Sequence, residues 1–241
     1  MEDKYNLTRQ ECIELAKRNI VDNIYSSAKI EGIAVTFPQT MEIFEGRTVA
    51  GMSIDDTNKI NNMKHAWQFL FDSIDYPLDF LYLRQLNKIV NQFLMSDAGM
   101  LRNYDVRIGG TSWKPDMPDE DAIKQDIAEI MNMECVTAKA VSIMLYVMRA
   151  QIFSDGNKRV AQLAANQILI QNGKGYLRIP PELKEHFFEL LIKYYESGNG
   201  DTIGAFICDK CIEGKTVARE LVQEPLNEDM FITNKDRGGR L

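Results

Sequence analysis

The chain has 241 residues, of which 45% are apolar and 26% are charged, and its formal net charge is −7. This composition is typical of a folded globular protein and excludes a disordered or fibrous chain. The acidic balance argues against nucleic acid as a partner. No apolar run reaches membrane-spanning length, and the first residues do not resemble a secretory leader. We therefore expect a cytoplasmic protein with no membrane partner.

The N-terminal segment is predicted to form one long helix. Thr8 and Glu11 have the spacing of a capping box, and apolar residues follow at helical intervals over residues 8–30. Ser27 and Glu31 lie one turn apart at its end, on the same face. Taken alone, this pattern indicates only a polar helix end.

The next segments alternate between loop and helix signals. Residues 33–54 contain Pro38, Gly46 and Gly51, and we predict a loop-rich connection there. Further helices are predicted from apolar periodicity at residues 55–74, 78–94, 119–131, 137–149, 157–171, 182–195 and 202–212. Residues 215–241 are polar, which predicts a C-terminal tail.

Residues 99–115 interrupt the helical pattern. Val106 and Ile108 alternate with polar neighbours, the pair Gly109-Gly110 suits a tight turn, and residues 111–113 could form a returning strand. The pattern predicts a small β-hairpin. A surface hairpin without a function is the alternative interpretation.

The cysteines and histidines form no complete metal motif. Cys208 and Cys211 have the spacing of half a zinc site, and no second pair completes it. Two small buried side chains on one helical face are the favoured interpretation. The two histidines, His65 and His186, lie far in sequence from the turn considered next.

A polar turn at residues 154–157 opens a predicted helix. The free backbone N–H groups of a helix start attract anions, Gly156 permits close approach, and Lys158 and Arg159 add positive charge. The Asp155 carboxylate suits a magnesium ion that bridges phosphates, although a helix N-cap is the alternative role. The turn therefore predicts a phosphate site.

This stretch resembles the signature of the Fic family, His-x-Phe-x-Asp/Glu-Gly-Asn-Gly/Lys-Arg-x-x-Arg. The matching residues are Phe153, Asp155, Gly156, Asn157, Lys158 and Arg159. Two positions depart from the signature. Gln151 occupies the position of the family's histidine, and Gln162 occupies the position of a second arginine found in many members.

Two other segments resemble Fic motifs, in the order in which the family has them. The end of the first helix is similar to the inhibitory motif Ser/Thr-x-x-x-Glu-Gly/Asn, with Ser27 and Glu31 at its key positions. Residues 104–115, here called the flap, resemble the segment that pairs with a target by strand addition. In the flap the resemblance assigns target binding to Val106, Ile108 and Thr111.

The resemblance implies an all-α, Fic-like helical bundle with a small β-hairpin flap. It divides the chain into an N-terminal inhibitory-type helix (residues 1–32), a Fic-like domain (residues 33–214) and a C-terminal tail (residues 215–241). Fic proteins typically transfer AMP from ATP to a hydroxyl group of a target protein, so ATP and Mg²⁺ are the implied ligands. The resemblance assigns metal binding to Asp155. It assigns nucleotide binding to Gly156, Asn157, Lys158, Arg159 and Gln162.

The departure at Gln151 lowers the expected activity, and the departure at Gln162 changes the contact expected for Glu31. Gln151 cannot accept a proton as an imidazole does. General-base catalysis contributes about 10²- to 10⁴-fold in rate, which corresponds to roughly 3 to 5 kcal/mol of barrier. Glu31 would commonly pair with the second arginine, but here it would meet the neutral amide of Gln162 or turn to Arg159.

The leading hypothesis is an ATP-binding protein adenylyltransferase whose activity is weak or lost. One alternative is an inactive, nucleotide-gated module that binds a partner protein, and another is kinase-like phosphotransfer. The implied partner is a target protein that docks on the flap, and a homodimer is also considered.

Overall fold

The computed structural model describes residues 1–214, and the predicted tail at residues 215–241 lies outside the described residues. The described part consists of helices and one two-stranded antiparallel sheet, in which β1 (Tyr176–Leu177) pairs with β2 (Ile212–Glu213). The helices are α1 (Arg9–Arg18), α2 (Ile20–Ile30), α3 (Phe37–Phe44), α4 (Ile54–Asp72), α5 (Phe80–Val90), α6 (Glu120–Met131), α7 (Val136–Ala150), α8 (Asn157–Gln171), α9 (Lys184–Ser197) and α10 (Asp201–Lys210), with a short 3₁₀ turn at Pro181–Leu183. The predicted fold class, a helical bundle with a minimal β element, is confirmed.

The centre of the bundle is the antiparallel pair α7 and α8, which pack against each other more extensively than any other elements described. Nearly every α8 side chain from Arg159 to Ile170 is buried, including polar ones such as Asn166 and Gln167. A helix that is buried on all sides must lie inside the core. The turn that joins α7 to α8 is therefore fixed by the most rigid part of the molecule.

The N-terminal helix begins as predicted but is not continuous. Thr8 and Glu11 form the capping box in both directions. The helix then breaks at Asn19, where the side-chain amide donates a hydrogen bond of 2.8 Å to the Leu15 carbonyl oxygen. Asparagine side chains compete in this way for helix carbonyls. The single helix predicted over residues 8–30 is thus two helices, α1 and α2.

Residues 33–54 are not wholly loop, because they contain α3. Thr36 and Gln39 form a second capping box, and Pro38 lies in the first turn, where a missing N–H costs nothing. The prediction of a loop-rich connection was wrong for these eight residues. Their start signal was present in the sequence but was outweighed by the proline and glycine content.

The flap turns at Gly109-Gly110 as predicted, but its two limbs form no ladder within residues 1–214. The hairpin strands predicted around Val106 and Ile108 and at residues 111–113 were therefore wrong in position. The only bridge near the flap joins Leu101 to Phe153. The returning limb instead bonds to α9, as described below, and the described sheet lies between residues 176–177 and 212–213.

Cys208 and Cys211 are free thiols near the end of α10, the first partly exposed and the second buried. Burial raises the pKa of the Cys211 thiol to about 12. Among residues 1–214 no group of three or more His, Cys, Asp or Glu side chains is placed to hold a metal ion. No helix in this part of the chain combines the length and apolar character needed to cross a bilayer.

Candidate active site

The loop between α7 and α8, residues 151–156, is called the site loop. It begins and ends with a residue in the left-handed conformation, Gln151 at φ 48° and Gly156 at φ 80°. Glycine adopts this conformation without strain, whereas glutamine does so at a cost. A Cβ atom at position 156 would lie 2.9 Å from Asn91 Nδ2, so the close approach of α5 also requires glycine there.

Asn157 binds the site loop from within α8. Its Oδ1 accepts a hydrogen bond from the Phe153 N–H at 3.0 Å, and its Nδ2 donates to the Phe153 carbonyl at 2.7 Å and to Gln151 Oε1 at 3.2 Å. The sequence analysis assigned Asn157 to the nucleotide. In this structure its side chain is occupied by the loop, and Phe153 is the buried anchor.

Two asparagines that sequence reasoning missed, one in α5 and one at its C-cap, fix the other side of the loop. Asn87 Nδ2 and Asn91 Nδ2 donate to the Asp155 carbonyl oxygen at 2.8 and 2.9 Å. Both side chains are buried. The sequence did contain a signal for them, because they are spaced four residues apart on the apolar face of a predicted helix. Buried amides need hydrogen-bond partners, so such a pair predicts a polar contact.

Arg159 is buried to 1% exposure and is the central cation of the site. Its Nη1 donates to the Val90 carbonyl oxygen at 2.7 Å, and its Nη2 donates to Asp155 Oδ2 at 2.8 Å and to Asn91 Oδ1 at 3.2 Å. These bonds connect the C-terminal end of α5 to the first turn of α8. They also orient the Asp155 carboxylate, whose side chain remains 45% exposed.

Glu31, the C-cap residue of α2, lies directly over this first turn. Its Oε1 is 3.4 Å from Lys158 Nζ, and its Oε2 is 3.5 Å from Arg159 Nε. Its side chain is only 11% exposed. Ser27, one turn earlier, is also buried beside it. The structure therefore brings the predicted inhibitory residues onto the predicted phosphate site.

Gln162 does not take part in this contact. Its Nε2 donates to the Lys158 carbonyl oxygen at 3.1 Å, within its own helix, and the residue is buried. Gln151 is likewise turned inward, since its Nε2 donates to the Met148 carbonyl oxygen at 2.6 Å. His65 lies on α4 and His186 on α9, outside the site loop.

Arg102 is a second buried arginine, to which the sequence alone assigned no role. Its Nε donates to the Gln151 carbonyl at 2.7 Å, its Nη1 to the Tyr104 carbonyl at 2.8 Å, and its Nη2 to the carbonyls of Pro115 and Asp116. Burial lowers the pKa of the Arg102 guanidinium. One side chain thus connects both ends of the flap to the site loop.

The returning limb of the flap bonds to the end of α9 through Glu196. This carboxylate accepts hydrogen bonds from the Thr111 hydroxyl at 2.5 Å, the Ser112 N–H at 2.6 Å and the Ser112 hydroxyl at 2.8 Å. These bonds lower the pKa of Glu196. The Arg149 guanidinium also stacks on the Trp113 ring, 3.6 Å from its centroid.

The other limb of the flap carries Val106 and Ile108, both half-buried. A cleft of about 430 Å³ lies between residues 105–107 and residues 114–117. The flap is thus anchored at its base and along one limb. Of the predicted target-binding residues, Val106 lines this cleft, Ile108 does not, and Thr111 is bonded to α9.

The donor set at the α8 start fits a nucleotide and magnesium. Mg²⁺ is usually bound by one or two carboxylates together with substrate phosphates, and Asp155 offers one oriented, half-exposed carboxylate. The first turn of α8 supplies backbone N–H groups, and Lys158 supplies a partly exposed ammonium group.

Comparisons with known proteins agree with this geometry. Residues 77–169 match the model of the Fic/DOC family. The chain is 27% identical over 206 residues to protein adenylyltransferase Fic of Drosophila willistoni, covering 82% of this chain and 41% of that protein. The same protein of Drosophila grimshawi is 27% identical over 239 residues, with 93% and 48% covered. The chain thus spans less than half the length of these curated relatives.

Solved structures share the fold. A Fic-1 fragment from C. elegans superposes with a TM-score of 0.72 at 21% identity, covering 83% of this chain and 62% of that one. A Fic-domain-containing signaling protein from Bacteroides thetaiotaomicron gives a TM-score of 0.65 at 19% identity, with 85% and 81% covered. The family match runs from just before α5 into α8 and includes the site loop, so residues 77–169 of this chain match a Fic/DOC domain.

Proposed function

We propose that this chain binds Mg-ATP and transfers AMP to a hydroxyl side chain of a target protein, with low activity because Gln151 replaces the family's histidine. The observation that carries the proposal is the start of α8, where Arg159 orients the Asp155 carboxylate beside free N–H groups. The relatives named protein adenylyltransferase support AMP transfer as the reaction class.

In this proposal the phosphates of ATP lie at the N-terminal turn of α8. Its backbone N–H groups, Lys158 and Arg159 bind phosphate oxygens. Asp155 holds the magnesium ion, which when bound neutralises phosphate charge and aids the departure of pyrophosphate. The target hydroxyl oxygen forms a bond to the α-phosphorus, the bond to pyrophosphate breaks, and the hydroxyl proton must pass to a base.

Gln151 is the weak point of that reaction. A neutral carboxamide cannot take the hydroxyl proton, and the Gln151 amide nitrogen is already bonded to the Met148 carbonyl. Loss of a general base costs about 10²- to 10⁴-fold in rate. Water would have to accept the proton, so nucleotide binding is retained while turnover is slow.

Glu31 adds a second restraint. Its carboxylate forms ion pairs with Lys158 and Arg159, the same cations that would bind the phosphates. Withdrawal of the end of α2 would release both cations. We therefore propose that α2 is an autoinhibitory element and that the flap binds the target protein beside the site loop.

A nucleotide-gated binding module is the second candidate. The observation in its favour is the inward orientation of Gln151, which leaves no proton acceptor at the catalytic position of the loop. Such a module would bind ATP and a partner without transferring AMP.

Labelled ATP distinguishes these functions. We would incubate four proteins, with Gln151 or Gln151→His combined with Glu31 or Glu31→Gly, with α-labelled ATP and cell lysate. We expect label on protein mainly in the double variant, less with Gln151→His alone and little in the parent. Asp155→Asn in the double variant is the matched negative control.

The other outcomes decide between the rivals. Protein label from γ-labelled but not α-labelled ATP would mean kinase-like phosphotransfer. Measured Mg-ATP binding without label in any of the four proteins would overturn AMP transfer and leave the binding module.

A further inference from the structure

A small cavity lies between α2, α4 and α8, next to the Glu31 carboxylate. Ser27, Glu31, Lys59 and Arg159 are the polar residues around it, and the rest of its wall is formed by apolar side chains of α2 and α4 and by Ile33. The cavity volume is about 10 Å³, which is roughly the room that one water molecule needs. With Glu31 in place, nothing larger can enter.

Three buried polar atoms at this cavity lack a hydrogen-bond partner: Ser27 Oγ, Glu31 Oε1 and Arg159 Nε. Ser27 is 2% exposed and Arg159 is 1% exposed. Glu31 Oε1 is near Lys158 Nζ, but at 3.4 Å the contact is an ion pair without a hydrogen bond. Buried polar groups are normally paired, so this cluster indicates a place for a polar ligand.

The charges around the cavity come from three elements. Helix α2 contributes Glu31, helix α8 contributes Lys158 and Arg159, and helix α4 contributes Lys59. Arg159 already uses its Nη atoms on Val90, Asn91 and Asp155. Its Nε is the donor that remains for a ligand in the cavity.

Lys59 is the cation that can move into this space. Its Nζ is 3.5 Å from Asp56 Oδ1, in a pair whose side chains are 30% and 35% exposed. Such partly exposed pairs contribute little free energy, so a rotamer change that releases the ammonium group costs little. Gln162, at the signature's second-arginine position, is neutral and bonded to the Lys158 carbonyl.

We propose that Lys59 is a third phosphate-binding cation of the site, beside Lys158 and Arg159, and that it supplies from α4 the charge that Gln162 lacks on α8. When Glu31 withdraws, the vacated space joins the cavity, and the terminal phosphate of a nucleoside triphosphate is bound between Lys59 and Arg159. This proposal rests on the proposed function. The Lys59 proposal adds a residue of α4 to the phosphate-binding groups of the site. This residue is specific for the third phosphate of the nucleotide.

The test uses nucleotides of different phosphate number. In the Glu31→Gly protein, the affinities for ATP, ADP and AMP would be measured by calorimetry with magnesium, with and without Lys59→Gln. A hydrogen bond to a charged group predicts about a tenfold loss of ATP affinity. We expect a smaller loss for ADP, no loss for AMP, and recovery of ATP affinity in Lys59→Arg.

The matched control is Lys193→Gln, which makes the same charge change on the exposed face of α9. Unchanged ATP affinity in Lys59→Gln would overturn the Lys59 proposal and leave the proposed function standing. An equal loss for ATP and AMP would also overturn it, because Lys59 would then not read the third phosphate. Failure of every nucleotide to bind Glu31→Gly would overturn the proposed function itself, and the Lys59 proposal with it.

Discussion

The Nε atom of Arg102 donates a hydrogen bond of 2.7 Å to the carbonyl oxygen of Gln151. This bond joins the base of the flap to Gln151, the first residue of the site loop. Arg102 also donates hydrogen bonds to carbonyl oxygens at both ends of the flap. Any movement of the flap base would therefore also displace the backbone of Gln151.

We predict that Arg102→Ala destabilises the protein by about 2 to 4 kcal/mol, since four partly or fully buried carbonyl oxygens lose their donor at once. Urea unfolding measures this loss, and hydrogen exchange should rise in the flap and in the site loop together. The control is Arg107→Ala in the exposed part of the flap, which should change stability little. Faster exchange confined to the flap would contradict the coupling.

Asp155→Asn should remove the magnesium dependence of nucleotide binding while the fold is retained. The amide oxygen can still accept from Arg159, but a neutral group is a poor magnesium ligand. Calorimetry with Mg-ADP and with ADP in EDTA tests this. Asp105→Asn in the flap is the control for charge. A magnesium effect of equal size in Asp155→Asn and in the parent would contradict the assignment of Asp155.

The bonds between Glu196 and the flap should weaken in acid. Hydrogen bonds from Thr111, and then from Ser112, lower the pKa of Glu196 from its ordinary value of 4.5. A carboxyl group with a lowered folded-state pKa stabilises the fold above its unfolded pKa. That contribution is lost as the pH falls through the folded value, which lies below 4.5.

The measurement is the amide chemical shift of Ser112 against pH. We expect a titration with a midpoint below 4.5 in the parent, and none in Glu196→Gln. A midpoint at or above the ordinary value would show that the bonds to Thr111 and Ser112 do not persist in solution.

Gly156→Ala should destabilise the protein by about 2 kcal/mol or more, because an alanine at positive φ is strained and its Cβ would also contact α5. The control is Gly51→Ala, where φ is +82° but no atom lies within 4 Å of the added Cβ. It isolates the backbone strain, about 1 kcal/mol. Equal losses in thermal or urea unfolding would mean that the approach of Asn91 to position 156 imposes no constraint.

The local features of this protein were readable in the sequence by itself. The capping box at Thr8, the helical periodicities, the turn at Gly109-Gly110 and the start of α8 at Asn157 each depend on residues a few positions apart. Short-range signals of this kind act through backbone conformation and neighbouring side chains. The Fic-like bundle was implied by the resemblance of three segments to Fic motifs, which the sequence also contains. The break at Asn19 and the helix α3 were missed because competing local signals were weighted wrongly.

Only the tertiary structure decided which polar groups meet. Asn87 and Asn91 bind the site loop because α5 packs against α8. The sequence around these asparagines does not predict which group accepts their hydrogen bonds. The flap does not form its predicted ladder, and its returning limb instead donates a hydrogen bond to Glu196 of α9. Glu31 meets Lys158 and Arg159 and not Gln162, since the position of α2 over the first turn of α8 is set by the packing of the whole bundle.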